Sequence, residues 1–171
     1  MRKRCIKTKC YFVFVLLLTI GLSACQSVPT ENNSSEEIET SKIPVKHEVA
    51  GQFINAYADF CYDRTAEIGI LNWVKGQENV SADFKTELEK IIVEAETQNP
   101  DYGLEFDPIF EAQDFPDVFV IDSYDGNFVT LRGKKLPDFK LVMKVVEVNG
   151  SWLVDGSGVV NIPEEKRVKR F

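Results

Sequence analysis

The sequence predicts an α+β domain, with N-terminal helices packed on a curved antiparallel sheet formed by the C-terminal half. Three observations predict it. Apolar residues recur at steps of three and four from Val49 to Ala95. After Val118 the period changes to two. Turn signals, Asp125-Gly126-Asn127 and Asn149-Gly150, interrupt the alternating runs. Helices first and strands last segregate the two element types, which is the α+β layout.

The first helix is expected from Val49, with Ala50, Phe53, Ile54, Tyr57, Phe60 and Cys61 on one stripe. A short helix over Ile68–Lys75 follows, ending at Gly76. Ser81 reads as an N-cap, because its side chain can accept a hydrogen bond from a free amide of the first turn. Asp83 then sits where the helix dipole favours an acid. Phe84, Leu88, Ile91, Ile92 and Ala95 form the next stripe, and Asn99-Pro100 ends it. Tyr102–Phe115 reads as irregular, with Asp107-Pro108 a turn or helix start. Strands are expected over Val118–Tyr124, Phe128–Arg132, Phe139–Val148 and Ser151–Val160. Asn149-Gly150 supplies the two positive φ angles of a type I′ turn. Leu141, Met143 and Val145 are assigned to the core face.

The first 24 residues read as an address label. Arg2, Lys3, Arg4, Lys7 and Lys9 precede the apolar run Tyr11–Leu22, and no acid occurs before Glu31. Twelve apolar residues fall short of the roughly 20 that span a bilayer and match a signal-peptide core. Leu22-Ser23-Ala24-Cys25 resembles a bacterial lipobox. The resemblance implies that the Cys25 thiol receives a diacylglycerol through a thioether, with palmitate-like acyl chains, and that the chain is cut just before it. An ordinary secretory signal with a chance Cys is the alternative. Cleavage leaves 147 residues and, with five cations lost, takes the net charge from −7 to −12. Gln26 after the Cys, read as in Gram-negative lipoproteins, implies the outer membrane, facing the periplasm. The domain plan is a signal peptide at 1–24, the lipidated Cys25 and a disordered tether over 25–47, a folded domain over 48–163 and a charged tail over 164–171. The tether is rich in Ser, Asn, Glu and Pro and too poor in apolar surface to offset its ordering entropy. As a coil it spans roughly 25 Å.

The order of elements also resembles the cone-shaped fold of nuclear transport factor 2 and its relatives. A narrower resemblance rests on Asp107-Pro108-Ile109-Phe110-Glu111-Ala112-Gln113-Asp114 and Asn149-Gly150-Ser151-Trp152-Leu153-Val154-Asp155-Gly156. Together these look like the bacterial envelope family catalogued as domain of unknown function 3828, over roughly 49–161. Some relatives are described as periplasmic immunity proteins that neutralise cell-wall amidase toxins delivered by type VI secretion, and most have no known activity.

The side chains available for chemistry are few. His47 is the one histidine, read as a solvated junction residue. Cys61 lies on an apolar stripe, where a free thiol is usually inert. No Cys/His spacing matches zinc and no Gly-rich run matches a phosphate loop. Net acidity argues against nucleic acid, which needs a basic footprint. The expected activity is therefore binding, without catalysis or cofactor. The candidate binding residues are Tyr102, Asp107, Glu111, Gln113, Asp114, Asp117 and Trp73. The carboxylates could bind a cation or do acid–base work. They could equally cap turns at the helix-to-sheet transition, with Glu111 and Asp117 exposed. The expected partners are the membrane, through Cys25, and an envelope protein or small ligand. An immunity protein against a cell-wall-degrading toxin and a hydrolytic or small-molecule-binding domain are the alternatives.

Overall fold

The computed structural model describes residues 45–63 and 68–169. Cys25, the leader and most of the tether lie outside the described residues. Among the described residues the order is three α-helices, α1 (Lys46–Tyr62), α2 (Ile70–Lys75) and α3 (Ala82–Gln98), then four strands and a single 3-10 turn at Glu164–Lys166. The strands are β1 (Phe119–Asp125), β2 (Phe128–Gly133), β3 (Lys140–Val148) and β4 (Ser151–Ser157). They form one antiparallel meander in the order β1-β2-β3-β4, so the fold is α+β.

Each helix follows its stripe. In α1, Val49, Ala50, Phe53, Ile54, Tyr57 and Ala58 are buried. The helix begins three residues earlier than its apolar pattern and takes in His47, which is not a solvated junction residue. The His47 ring stacks on Tyr124 at 5.1 Å, and Lys46 Nζ donates to the Gly126 carbonyl at 2.6 Å. The Glu48 carboxylate accepts the Val45 amide, satisfying one orphan donor of the first turn. Ser81 caps α3 as expected, its Oγ accepting the Phe84 amide at 3.0 Å.

The sheet presents Val129, Leu131, Leu141, Met143, Val145 and Val154 to the helices, all fully buried or nearly so. Asn149 and Gly150 both have positive φ, 53° and 80°, as a type I′ turn requires. Between helices and sheet the space is filled by Phe53, Ile54, Tyr57, Phe84, Leu88, Phe110 and Met143. Truncating one of these aromatic rings to Ala would cost about 3–5 kcal/mol.

Both edges of the sheet are tied to helices. On α1, the Asn55 side chain donates to the Phe119 carbonyl and accepts the Phe119 amide, at 3.0 and 2.8 Å. At the other edge, the Ser81 amide donates to Val154 and the Val154 amide to Asn79, covering β4 with the chain that leads into α3. Lys46 meets the β1–β2 turn while Asn55 meets the start of β1, so α1 runs antiparallel to β1 across the sheet.

Candidate binding site

The segment between α3 and β1 begins where Pro100 stops the helix. The Gly103 amide donates to the Asn99 carbonyl at 2.8 Å, and Gly103 has a φ of 60°. Tyr102 projects outward and is 79 % exposed. The chain then folds inward at Asp107. One carboxylate oxygen accepts the Ile109 and Phe110 amides at 2.9 and 3.0 Å, and the other accepts the Tyr57 hydroxyl at 2.6 Å. Asp107 and Ala112 also exchange backbone hydrogen bonds, closing a small loop that buries Ile109 and Phe110. The Phe110 ring stacks on Phe115 at 4.0 Å. The end of β4 fixes the same loop, as the Ser157 hydroxyl donates to the Ile109 carbonyl and the Val159 amide to the Pro108 carbonyl. The loop passes so close that a Cβ on Gly158 would lie 2.6 Å from the Ile109 oxygen.

Burial of Asp107 raises its pKa, partly offset by the donors from Tyr57, Phe110 and Ile109. Burial and the Asp107 carboxylate also raise the Tyr57 hydroxyl. The Cys61 thiol beside Tyr57 is pushed up to about 11, mainly by burial. A thiol so raised is a poor nucleophile at neutral pH.

The acidic residues proposed from sequence are not brought together. Asp107 is the hub just described. Glu111 has a φ of 53°, is half-buried and pairs with Arg167 at 3.6 Å. Asp117 is half-buried and pairs with Lys135 at 2.7 Å, and that lysine holds its carboxyl below the usual range. Neither is the freely exposed carboxylate expected, because each found a cation 18 or more positions along the chain. Gln113 donates to the Glu105 carbonyl, and Asp114 is exposed. Trp73 is half-buried among Phe53, Tyr57 and Phe60, at ring distances of 5.2–5.8 Å, so it packs on the core. Among the described residues, no group of three or more His, Cys, Asp and Glu is placed to hold a metal ion.

Tyr102 does border a depression. It is joined there by Ile70, Leu71, Ile92, Val93, Glu96 and Leu104, enclosing about 570 Å³ between α2, α3 and the segment after α3. A second depression of about 350 Å³ adjoins it, sharing Ile70 and Leu104 and adding Glu105, Phe106, Asp107, Pro108 and Gln113. Val93, Tyr102 and Phe106 are exposed, at 53, 79 and 40 %. The pair forms an apolar groove with acids on its rim. The sequence reading missed most of these residues. Their signal was apolar residues falling beside the helix stripe, Val93 above all.

A buried polar cluster was also missed. The register of β3 against β4 slips between Lys144 and Val145, leaving Asp155 as a bulge residue. A bulge re-aims its side chain. Here the Asp155 carboxylate accepts the Ser81 hydroxyl at 2.6 Å and the Lys144 ammonium at 2.8 Å. It floors a polar depression of about 390 Å³ that Asp83, Thr86, Glu87 and Asn161 also line. Both of its oxygens accept from within the fold, so the cluster ties α3 to the sheet.

No family model, curated protein or solved structure matches the chain.

Proposed function

We propose that the chain is a lipid-anchored cell-envelope protein that acts by binding a partner, not by catalysis, and that the α2–α3 groove is its binding face. The anchor in this reading is acylated Cys25, with the outer membrane as its site and the nuclear transport factor 2-like cone as its fold family. The carrying observation is the exposed apolar groove and its place on the fold. The tether reaches the domain at Lys46, beside Gly126. Tyr57, bonded to the groove residue Asp107, lies eleven positions further, about 17 Å along the helix axis. The groove thus adjoins the part of α1 farther from the point where the chain enters the helix, and its exposed apolar residues suit capture of a partner. The filled space between α1 and the sheet favours binding over a hydrolase working inside a cone. The acidic rim favours an inhibitor or immunity protein over a small-molecule carrier.

The test is photo-crosslinking in intact cells, with benzoylphenylalanine at Tyr102 or, as a control, at exposed Glu147. The expected result is a discrete adduct from position 102 alone. Absence of any adduct from position 102 overturns the binding reading. Cys25→Ser should move the protein to the soluble fraction, and an intact mass without acyl chains would overturn the anchor.

A further inference from the structure

The groove is apolar in its floor and one-signed in its rim. Between Ile91 and Leu131 the sequence holds ten Asp and Glu and no Lys, Arg or His. The fold then engages part of that charge in bonds of its own. Glu111, Asp117 and Asp122 pair with Arg167, Lys135 and Lys140, and Asp107 is held by Tyr57 and two amides. Glu96 and Glu105 line the groove, and Asp101 and Asp114 stand one residue from the lining residues Tyr102 and Gln113. Among the described residues none of these four is in an ion pair, and no cation lines either depression.

The structure assigns this groove to a polypeptide segment that carries aliphatic or aromatic anchors flanked by Lys or Arg. The inference rests on the binding reading above and adds the chemistry of the partner. Depressions of about 570 and 350 Å³ fall in the size range of ligand-receiving clefts, and their apolar lining offers contact to aliphatic or aromatic groups. Basic flanks would meet the unpaired carboxylates, speeding encounter and excluding acidic competitors. A second copy of this chain is disfavoured, because it would set the same unpaired carboxylates against one another across a shared interface.

The probe is a fluorescein-labelled peptide, Lys-Arg-Leu-Ser-Phe-Leu-Lys-Arg, titrated with the full chain in phosphatidylcholine nanodiscs. One comparison peptide carries Glu at every basic position, and another carries Ser at every apolar position. Saturable binding of the first peptide is expected, with the other two at least about tenfold weaker. Glu96→Lys with Glu105→Lys should weaken it at least about tenfold, and added salt should weaken it too. The same charge change at exposed Glu147 and Glu164 should alter it less than about threefold. Thermal melts of both double variants confirm folding. Equal binding of the acidic or the Ser peptide overturns the inference, as does equal loss in the control variant, which would trace the effect to net charge alone. Self-association that Val93→Asp abolishes would make the occupant a second copy and overturn it as well. No peptide binding, with the Tyr102 adduct retained in cells, overturns the partner's chemistry and leaves the binding reading standing. Loss of both removes the two together.

Discussion

The Tyr57 hydroxyl on α1 donates to the Asp107 carboxylate at 2.6 Å, across fifty residues of sequence. Asp107 in turn holds the Ile109 and Phe110 amides. One carboxylate therefore docks the segment beneath the groove onto the first helix. Tyr57→Phe keeps the ring packing and removes only the donor. It should lower stability by about 1–3 kcal/mol, the cost of stranding a buried acceptor. Urea denaturation of the two proteins measures it, and an unchanged midpoint would mean that the bond contributes nothing.

The same pair predicts a pH dependence. The Asp107 pKa is raised above its ordinary 3.8, chiefly by burial. Between 3.8 and the folded value, the native chain keeps a proton that the unfolded chain has released. The native state then binds more protons, so this group's contribution to stability declines as pH rises through that interval. Asp107→Asn removes the titration. The variant should gain stability relative to the parent as pH rises above the ordinary carboxylate range. A pH-independent difference between their urea midpoints would refute the raised pKa.

Ser81 serves two elements at once, capping α3 through Phe84 and donating to Asp155 in the β4 bulge. Ser81→Ala loses the cap, worth about 1 kcal/mol, and a partner of a buried carboxylate besides. A double-mutant cycle with Asp155→Asn should show coupling above about 0.5 kcal/mol. Additive losses would show that the cap and the bulge are energetically separate.

Two glycines with positive φ should respond differently to Ala. Nothing lies near the missing Cβ at Gly150, so Gly150→Ala should cost only backbone strain, about 1 kcal/mol. At Gly158 the new methyl would meet the Pro108 and Ile109 carbonyls, so Gly158→Ala should cost clearly more. Thermal melts rank the two variants, and the reverse order would contradict the close approach of the loop to β4.

Cys61, with its thiol pushed up to about 11, should resist alkylation. At pH 8 its thiolate fraction is roughly a hundredfold below that of an ordinary thiol, and iodoacetamide should label it correspondingly slowly. Peptide mapping by mass spectrometry at Cys61 follows the rate. Labelling as fast as that of glutathione would show that burial does not control this thiol.

The sequence by itself determined the elements and their order. A helix stripe repeats within seven residues and a strand within two, so Phe53, Ile54 and Tyr57 or Leu141, Met143 and Val145 declare their faces locally. Ser81 and Asn149-Gly150 are equally local, since a cap and a turn are satisfied by backbone a few positions away. The candidate site was legible at Tyr102, Asp107 and Gln113 and in the choice of the 102–117 segment. The fate of each acid there depended on what the folded chain brought opposite it: Tyr57 for Asp107, Arg167 for Glu111 and Lys135 for Asp117. Those partners lie 18 to 56 residues away. The groove was hidden for the same reason. Ile70, Val93 and Phe106 belong to three segments, and only the packing of α2 and α3 against the chain beyond them leaves their apolar surface facing water together. Asp155 needed still more, because a one-residue slip between β3 and β4 turned a strand residue toward Ser81 and Lys144. Short-range order follows from local sterics and periodicity. The neutralisation of charge and the exposure of a groove are sums over distant neighbours, which tertiary packing alone supplies.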